Sequence, residues 1–211
     1  MLPPLIPIFP LPNVVLFPNV FLPLHIFEAR YRAMVADALA GDRVIGMALL
    51  QPGYQADYQG RPPVYPVGTA GVITHTEALP DGRFNIVLRG IEKFRILEED
   101  ASRPYRVARV EPLPELTGDV ERDAVRDQRR KLEAVLKRTI ELAGSEPTFA
   151  PSVSDADVVN ALAQYLDLEP IERQALLERD GVLARAQGLA ELLEFKLLAP
   201  PGLAGRDRSV H

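Results

Sequence analysis

The first 32 residues, MLPPLIPIFPLPNVVLFPNVFLPLHIFEARYR, constrain the fold more than any other part of the chain. Seven prolines lie between Pro3 and Pro23, interleaved with Ile6, Ile8, Phe9, Val14, Val15, Leu16, Phe17, Phe21, Leu22 and Leu24. Each proline removes a backbone donor and fixes φ, so no helix can run through the segment. Its side chains are too apolar to stay in water. Short extended pieces pressed onto a β core satisfy both demands, with turns at Leu11-Pro12-Asn13 and Phe17-Pro18-Asn19. A helix is expected to open at Phe27-Glu28.

The same segment does not read as a secretory leader, because it has no cationic n-region and no proline-free apolar run. Its prolines equally oppose a membrane-spanning helix. The 211 residues include no cysteine, which excludes disulfides and thiol chemistry and suits a reducing compartment. The chain therefore reads as soluble and cytoplasmic, with no membrane partner. Residues 1–114 carry 11 basic and 11 acidic side chains, and residues 115–211 carry 13 and 18, so the net charge of −5 sits in the second half. Neither half shows the basic excess of a phosphate-binding surface.

Helical spacing of Phe27, Tyr31, Met34, Val35 and Ala38 predicts a helix to Ala40, closed by Gly41. VIGMALL (Val44–Leu50) has the length of a strand buried on both faces, and Gln51 to Pro66 reads as a surface loop holding Tyr54, Tyr58 and Tyr65. Gly68 to Leu79 and Arg83 to Leu88 flank Pro80-Asp81-Gly82, a hairpin signal. IEKFRIL and YRVARV alternate apolar with charged residues, as half-exposed strands do, and Gly90 marks a bulge or bend. Past Glu111-Pro112-Leu113-Pro114 the pattern is helical: Asp119 to Ala143, then Ser154-x-x-Asp157 to Leu166, then a helix from Pro170, and a last one from about Val182 to Leu198. The fold class expected is α+β: a small, mainly antiparallel β domain with one early helix over 1–114, a helical bundle over 115–198, and a disordered tail over 199–211.

Three runs carry a resemblance: IPIFPLPNVVLFPNVFLPLHIFEARYRAMV, YPVGTAGVI and PDGRFNIVLRGIEKFRI. Together they resemble the N-terminal domain of the ATP-dependent protease Lon. The stretch ALAQYLDLEPIERQALLERDGVLARAQGLAELLEF is similar to that family's following helices. The resemblance implies a PUA-like barrel and a substrate-recognition role. It also implies partners of two kinds: exposed apolar or unfolded protein segments, and a protease or chaperone with which the module would act.

Catalytic modules are not expected beside it. No G-x-x-x-x-G-K-[ST] run occurs, and none of the five serines stands in a nucleophile-elbow context. The four lysines, Lys93 among them, and the Glu98-Glu99-Asp100 run read as solvated charge. His25, His75 and His211 lack partners at ligand spacing, so no metal, cofactor or catalytic residue is expected. Phe17, Phe21, Leu22, Tyr54, Tyr58 and Tyr65 are the candidate contacts for an extended, unfolded peptide. Core packing is the competing role, favoured slightly for Phe17 and Phe21. Glu28, Gly68 and Gly90 are expected to be structural, Glu28 by capping the first helix or pairing with an arginine such as Arg30 or Arg89. The arginines at positions 83, 89, 95, 103, 106 and 109 raise an RNA-binding barrel as the runner-up. A residual peptidase is the remaining alternative.

Overall fold

The computed structural model describes residues 2–58, 60–100, 102–115, 119–140 and 153–198. Among them six strands and five α-helices follow in order: β1 (Leu5–Leu11), β2 (Phe21–Ile26), α1 (Ala29–Ala40), β3 (Val44–Leu49), β4 (Val67–Ala78), β5 (Phe84–Asp100), β6 (Arg106–Leu113), α2 (Asp119–Ile140), α3 (Asp155–Tyr165), α4 (Pro170–Leu177) and α5 (Gly181–Leu198). The fold is α+β. The expected tail over 199–211 and the expected helix end at Ala143-Gly144 lie outside the described residues. Among the described residues no helix is long and apolar enough to cross a membrane.

The sheet runs β2-β5-β4-β3-β1-β6, and a further pairing of β5 with β6 closes five strands on themselves. β2 stays outside that ring as an edge strand on the first half of β5. β1 pairs with β3 in parallel, and the other pairings are antiparallel. β5 continues straight through Gly90, where two separate strands were expected, and serves two neighbours on one side by bending: β2 along Phe84–Arg89 and β6 along Lys93–Asp100. The bend coincides with a register shift opposite Ala70 and Gly71, since an extra residue in one strand kinks the ladder.

β3 is buried at all six positions because it has a core on each face. Val44 and Ala48 join Ile6, Ile8, Ala70, Phe94, Ala108 and Val110, contributed by all five ring strands, to fill the barrel. Ile45 and Met47 face the other way, where Tyr31, Met34, Val35 and Ala38 of α1 pack with Phe9, Ile26, Ile73 and Leu88. Gly68 lies where β4 passes close to β3; a β-carbon there would collide with the Met47 carbonyl and the Phe94 ring.

Two compact units emerge. One joins residues 1–115 to Asn160–Glu178; the other holds α2, the first turn of α3 and α5. The segment 160–178 thus groups with the barrel, although its sequence reads as part of the bundle. Polar side chains from it satisfy backbone groups of the turn before β2 and of the start of β4. The Phe17 N–H donates to Gln164 Oε1 at 3.0 Å, Asn160 Nδ2 donates to the Pro18 carbonyl at 3.0 Å, and Gln174 Nε2 donates to the Val67 carbonyl at 2.9 Å. In the other unit, α2 and α5 pack together, with Val125, Leu132, Val135 and Leu136 of α2 and Val182, Ala186 and Leu189 of α5 buried. Ser154 caps α3 as its spacing predicts, accepting the Asp157 N–H at 3.1 Å.

Candidate functional site

β2 carries two faces at the strand period of two. Leu22, Leu24 and Ile26 turn inward against the α1 core. Phe21, Pro23, His25 and then Phe27 turn outward and are exposed, with half of Phe21 and 62% of Phe27 open to solvent. The His25 and Phe27 rings stack 6.3 Å apart, which continues the ridge past the strand end. Tyr165, 66% exposed, adds an aromatic at the other end, its hydroxyl donating to the Phe21 carbonyl at 2.8 Å. The helical spacing that placed Phe27 in the α1 core stripe is corrected here. The helix starts at Ala29, so Phe27 follows the alternation of β2 instead.

The candidate contacts divide accordingly. Phe17 is fully buried, so its ring is core and not contact surface. Leu22 is half-buried on the inward face, and Phe21 is the member of the trio that reaches solvent. Tyr65 is half-buried, its N–H bonded to the Leu49 carbonyl. Tyr54 and Tyr58 come together on a short turn, rings 6.2 Å apart and edge to face.

Tyr58 is tied to the start of α1. Its hydroxyl donates to Glu28 Oε1 at 3.1 Å, and Arg30 Nε donates to Glu28 Oε2 at 3.0 Å. The Glu28 carboxylate makes no cap bond to the helix; its geometry is that of the pairing role. Between these groups the Arg30 guanidinium lies 4.6 Å from the Tyr31 ring centre and 5.3 Å from that of Tyr58, a double cation–π arrangement. Burial, then the hydrogen bond to Glu28, pushes the Tyr58 hydroxyl above its usual range. Tyr31 is pushed up to about 12, chiefly by burial and against the pull of Arg30.

Arg30 and Tyr58 also form one wall of a cavity of about 250 Å³. Arg61, Arg103 and Arg106 complete its charged lining, and Pro10, Leu50, Pro62 and Pro104 supply apolar walls. Arg103 holds Asp37 at 2.6 Å, and Arg106 holds Glu99 at 3.1 Å and the Pro62 carbonyl. Burial lowers the Arg106 guanidinium below its ordinary value, and the Tyr105 hydroxyl, ahead of Asp37, raises that of Arg103.

Three expectations about charge change. Glu98, Glu99 and Asp100 belong to β5, and Glu98 and Glu99 pair with Arg109 and Arg106 instead of forming a solvated turn. Lys93 is buried, with Nζ donating to the Leu177 carbonyl at 3.1 Å and meeting Glu115 at 2.7 Å. Five of the six arginines raised as a basic face, Arg83, Arg95, Arg103, Arg106 and Arg109, each sit against a carboxylate. His25 is held in a surface network. Arginine can only donate, so His25 Nε2 accepts from Arg83 Nη1 at 3.2 Å and Nδ1–H donates to Asn85 Oδ1 at 2.7 Å. Among the described residues no group of three or more His, Asp and Glu is placed to hold a metal ion.

A five-stranded mixed ring with an outer aromatic edge strand and a helical flank defines a small α+β barrel module. Residues 5–194 match the family described as the ATP-dependent protease La (LON) substrate-binding domain, and the chain belongs to that family. It is 29% identical over 202 residues to Lon protease 2 of Myxococcus xanthus, covering 92% of this chain and 24% of that protein. It is 30% identical over 200 residues to the Lon protease of Trichlorobacter lovleyi, covering 91% of this chain and 24% of the relative. The chain thus spans about a quarter of the length of these curated relatives. Two solved structures share the fold. The N-terminal domain of the Mycobacterium avium complex Lon protease superposes with a TM-score of 0.65 at 19% identity, covering 90% of this chain and 98% of that one. The Lon N-terminal domain protein from Xanthomonas campestris superposes with a TM-score of 0.58 at 24% identity, covering 93% and 99%.

Proposed function

We propose that this chain is a non-catalytic recognition module that binds exposed apolar segments of unfolded protein and acts beside a protease or as its adaptor. The observation that carries it is the outward ridge of Phe21, Pro23, His25 and Phe27 on an edge strand. β2 pairs with β5 along one side. Past the Phe21 carbonyl, which Tyr165 holds, its other side can accept an extended chain by strand addition, with main-chain bonds for affinity and the ridge for apolar contact. Exposed aromatics bury a large area at low entropic cost, which suits clients without a fixed sequence. The pairing of five arginines with carboxylates favours this reading over RNA binding, because little of their charge is left for phosphates.

The test uses the double variant Phe21→Ser, Phe27→Ser and a permanently unfolded model protein, with binding followed by fluorescence anisotropy. Binding should weaken about tenfold or more while the melting temperature holds, since both rings are exposed. Unchanged binding overturns the proposal. ATP-dependent cleavage of casein by the pure protein would overturn the non-catalytic part.

A further inference from the structure

We infer that the arginine–tyrosine cavity captures the free carboxylate of a chain's C-terminal residue, so that the module reads the end of an unfolded client; this rests on the peptide-recognition reading. Charge is the first reason. Four guanidiniums, of Arg30, Arg61, Arg103 and Arg106, line the cavity, and the carboxylates of Glu28, Glu99 and Asp37 hold them from outside that lining. The wall that a ligand meets is therefore cationic, which favours a small anion. Among the described residues no carboxylate lines the cavity itself.

Geometry is the second reason. A guanidinium presents five donors in a planar fork that fits a carboxylate. Arg103 spends Nη1 on Asp37 and the Tyr105 hydroxyl, and Arg61 spends Nη1 on the Asp100 carbonyl at 3.1 Å. Among the described residues, the bonds of each therefore run through a single nitrogen of the fork. The cation–π contacts with Tyr31 and Tyr58, and the bond to Glu28, hold the Arg30 guanidinium in place before any ligand arrives.

Size and position supply the rest. A volume of about 250 Å³ falls below the roughly 300–1,000 Å³ of pockets that enclose a whole small molecule, and suits one terminal residue. Pro10, Leu50, Pro62 and Pro104 would face its side chain, so an apolar last residue fits. The ridge of β2 leads there: Phe27 shares an open hollow with Glu28, Arg30 and Tyr58, and the last two also wall the cavity. A chain laid along β2 from Phe21 to Phe27 can thus place its last residue among the guanidiniums.

The test has two arms. In the first, N-acetyl-leucine and N-acetyl-leucinamide are titrated while the arginine side-chain N–H signals are followed by NMR. The acid should shift the signals of the cavity arginines and the amide should not. The variants Arg61→Gln and Arg103→Gln, both partly exposed, should each weaken the acid about tenfold while the backbone spectrum keeps its dispersion. Equal shifts from acid and amide, no shifts, or tighter binding of inorganic phosphate would overturn the assignment. In the second arm an unfolded apolar peptide is offered with a free or an amidated C-terminus. The free form should bind about tenfold tighter to the wild type, and equally with the amide to Arg103→Gln. Equal binding of both forms to the wild type overturns the cavity proposal and leaves peptide recognition standing. A response to N-acetyl-leucine with no binding of either peptide does the reverse.

Discussion

The carbonyl of Phe17 occupies the space where Gly90 would carry a β-carbon. Around that contact the Gly90 N–H donates to the Val20 carbonyl and the Gly90 carbonyl accepts the Asn19 N–H, both at 2.9 Å. The turn that carries the proline-rich segment into β2 is thus stitched to the bend of β5, and backbone must approach backbone without a side chain between. Gly90→Ala should destabilise the protein by about 1–3 kcal/mol, as overpacking against rigid backbone does. Urea unfolding of the variant beside the wild type measures the difference, and an unchanged midpoint would remove Gly90 from this role.

Phe17 and Phe21 are four residues apart and should respond oppositely to truncation. Phe17 is fully buried while Phe21 is half exposed. Phe17→Ala should cost about 3–5 kcal/mol of stability through the cavity it leaves. Phe21→Ala should cost less than about 1 kcal/mol and show its effect in peptide binding. Thermal unfolding of each, paired with anisotropy on an unfolded client, separates the roles. A stable Phe17→Ala protein would mean that the segment packs differently.

Much of the barrel was legible because its signals are local. The apolar run of Val44–Leu49 needs two buried faces, and it has them. Pro80-Asp81-Gly82 forms the β4–β5 turn with Gly82 at φ 79°, a region that glycine enters without strain. Lys93 and Arg106 were not legible, because alternation along a strand shows that it has two faces and not what covers the second. Lys93 is covered by the end of α4, 84 positions away, and Arg106 meets Pro62, 44 positions away. The site divides along the same line. Tyr58 could be nominated as a candidate contact, but its link to Glu28 and the bond from Tyr165 to Phe21 span 30 and 144 positions. Phe27 satisfied a helical period by coincidence, and the strand period that governs it was visible once β2 was placed.

Burial of Tyr31 makes an alkaline prediction. Burial pushes its hydroxyl up to about 12 when folded, against an ordinary value of 10.0, so the unfolded chain loses this proton first. The contribution is complete below pH 10 and is lost as pH rises toward 12, by about 2–3 kcal/mol in all. Tyr31→Phe should flatten that loss, leaving the smaller share due to Tyr58 and Tyr105, which are also raised. Urea unfolding at intervals from pH 9 to pH 12 tests it. A variant with the same alkaline slope as the wild type would mean that Tyr31 ionises freely in the folded state.

Lys93 and Glu115 form an ion pair at 2.7 Å with 6% and 12% of their side chains exposed, inside the barrel unit. Burying charges costs solvation, which their mutual attraction and the bond from Lys93 Nζ to the Leu177 carbonyl offset. Removing one partner takes the main opposite charge away from the other in a poorly solvated site. Lys93→Met should therefore destabilise by about 3–5 kcal/mol, well beyond the value of a surface pair. Adding Glu115→Gln to Lys93→Met should restore a large part of that loss, because the uncompensated charge disappears. A double-mutant cycle in urea gives the coupling directly. If Glu115→Gln instead adds its own cost on top of Lys93→Met, the two side chains act independently and the pair does not hold α4 to the barrel.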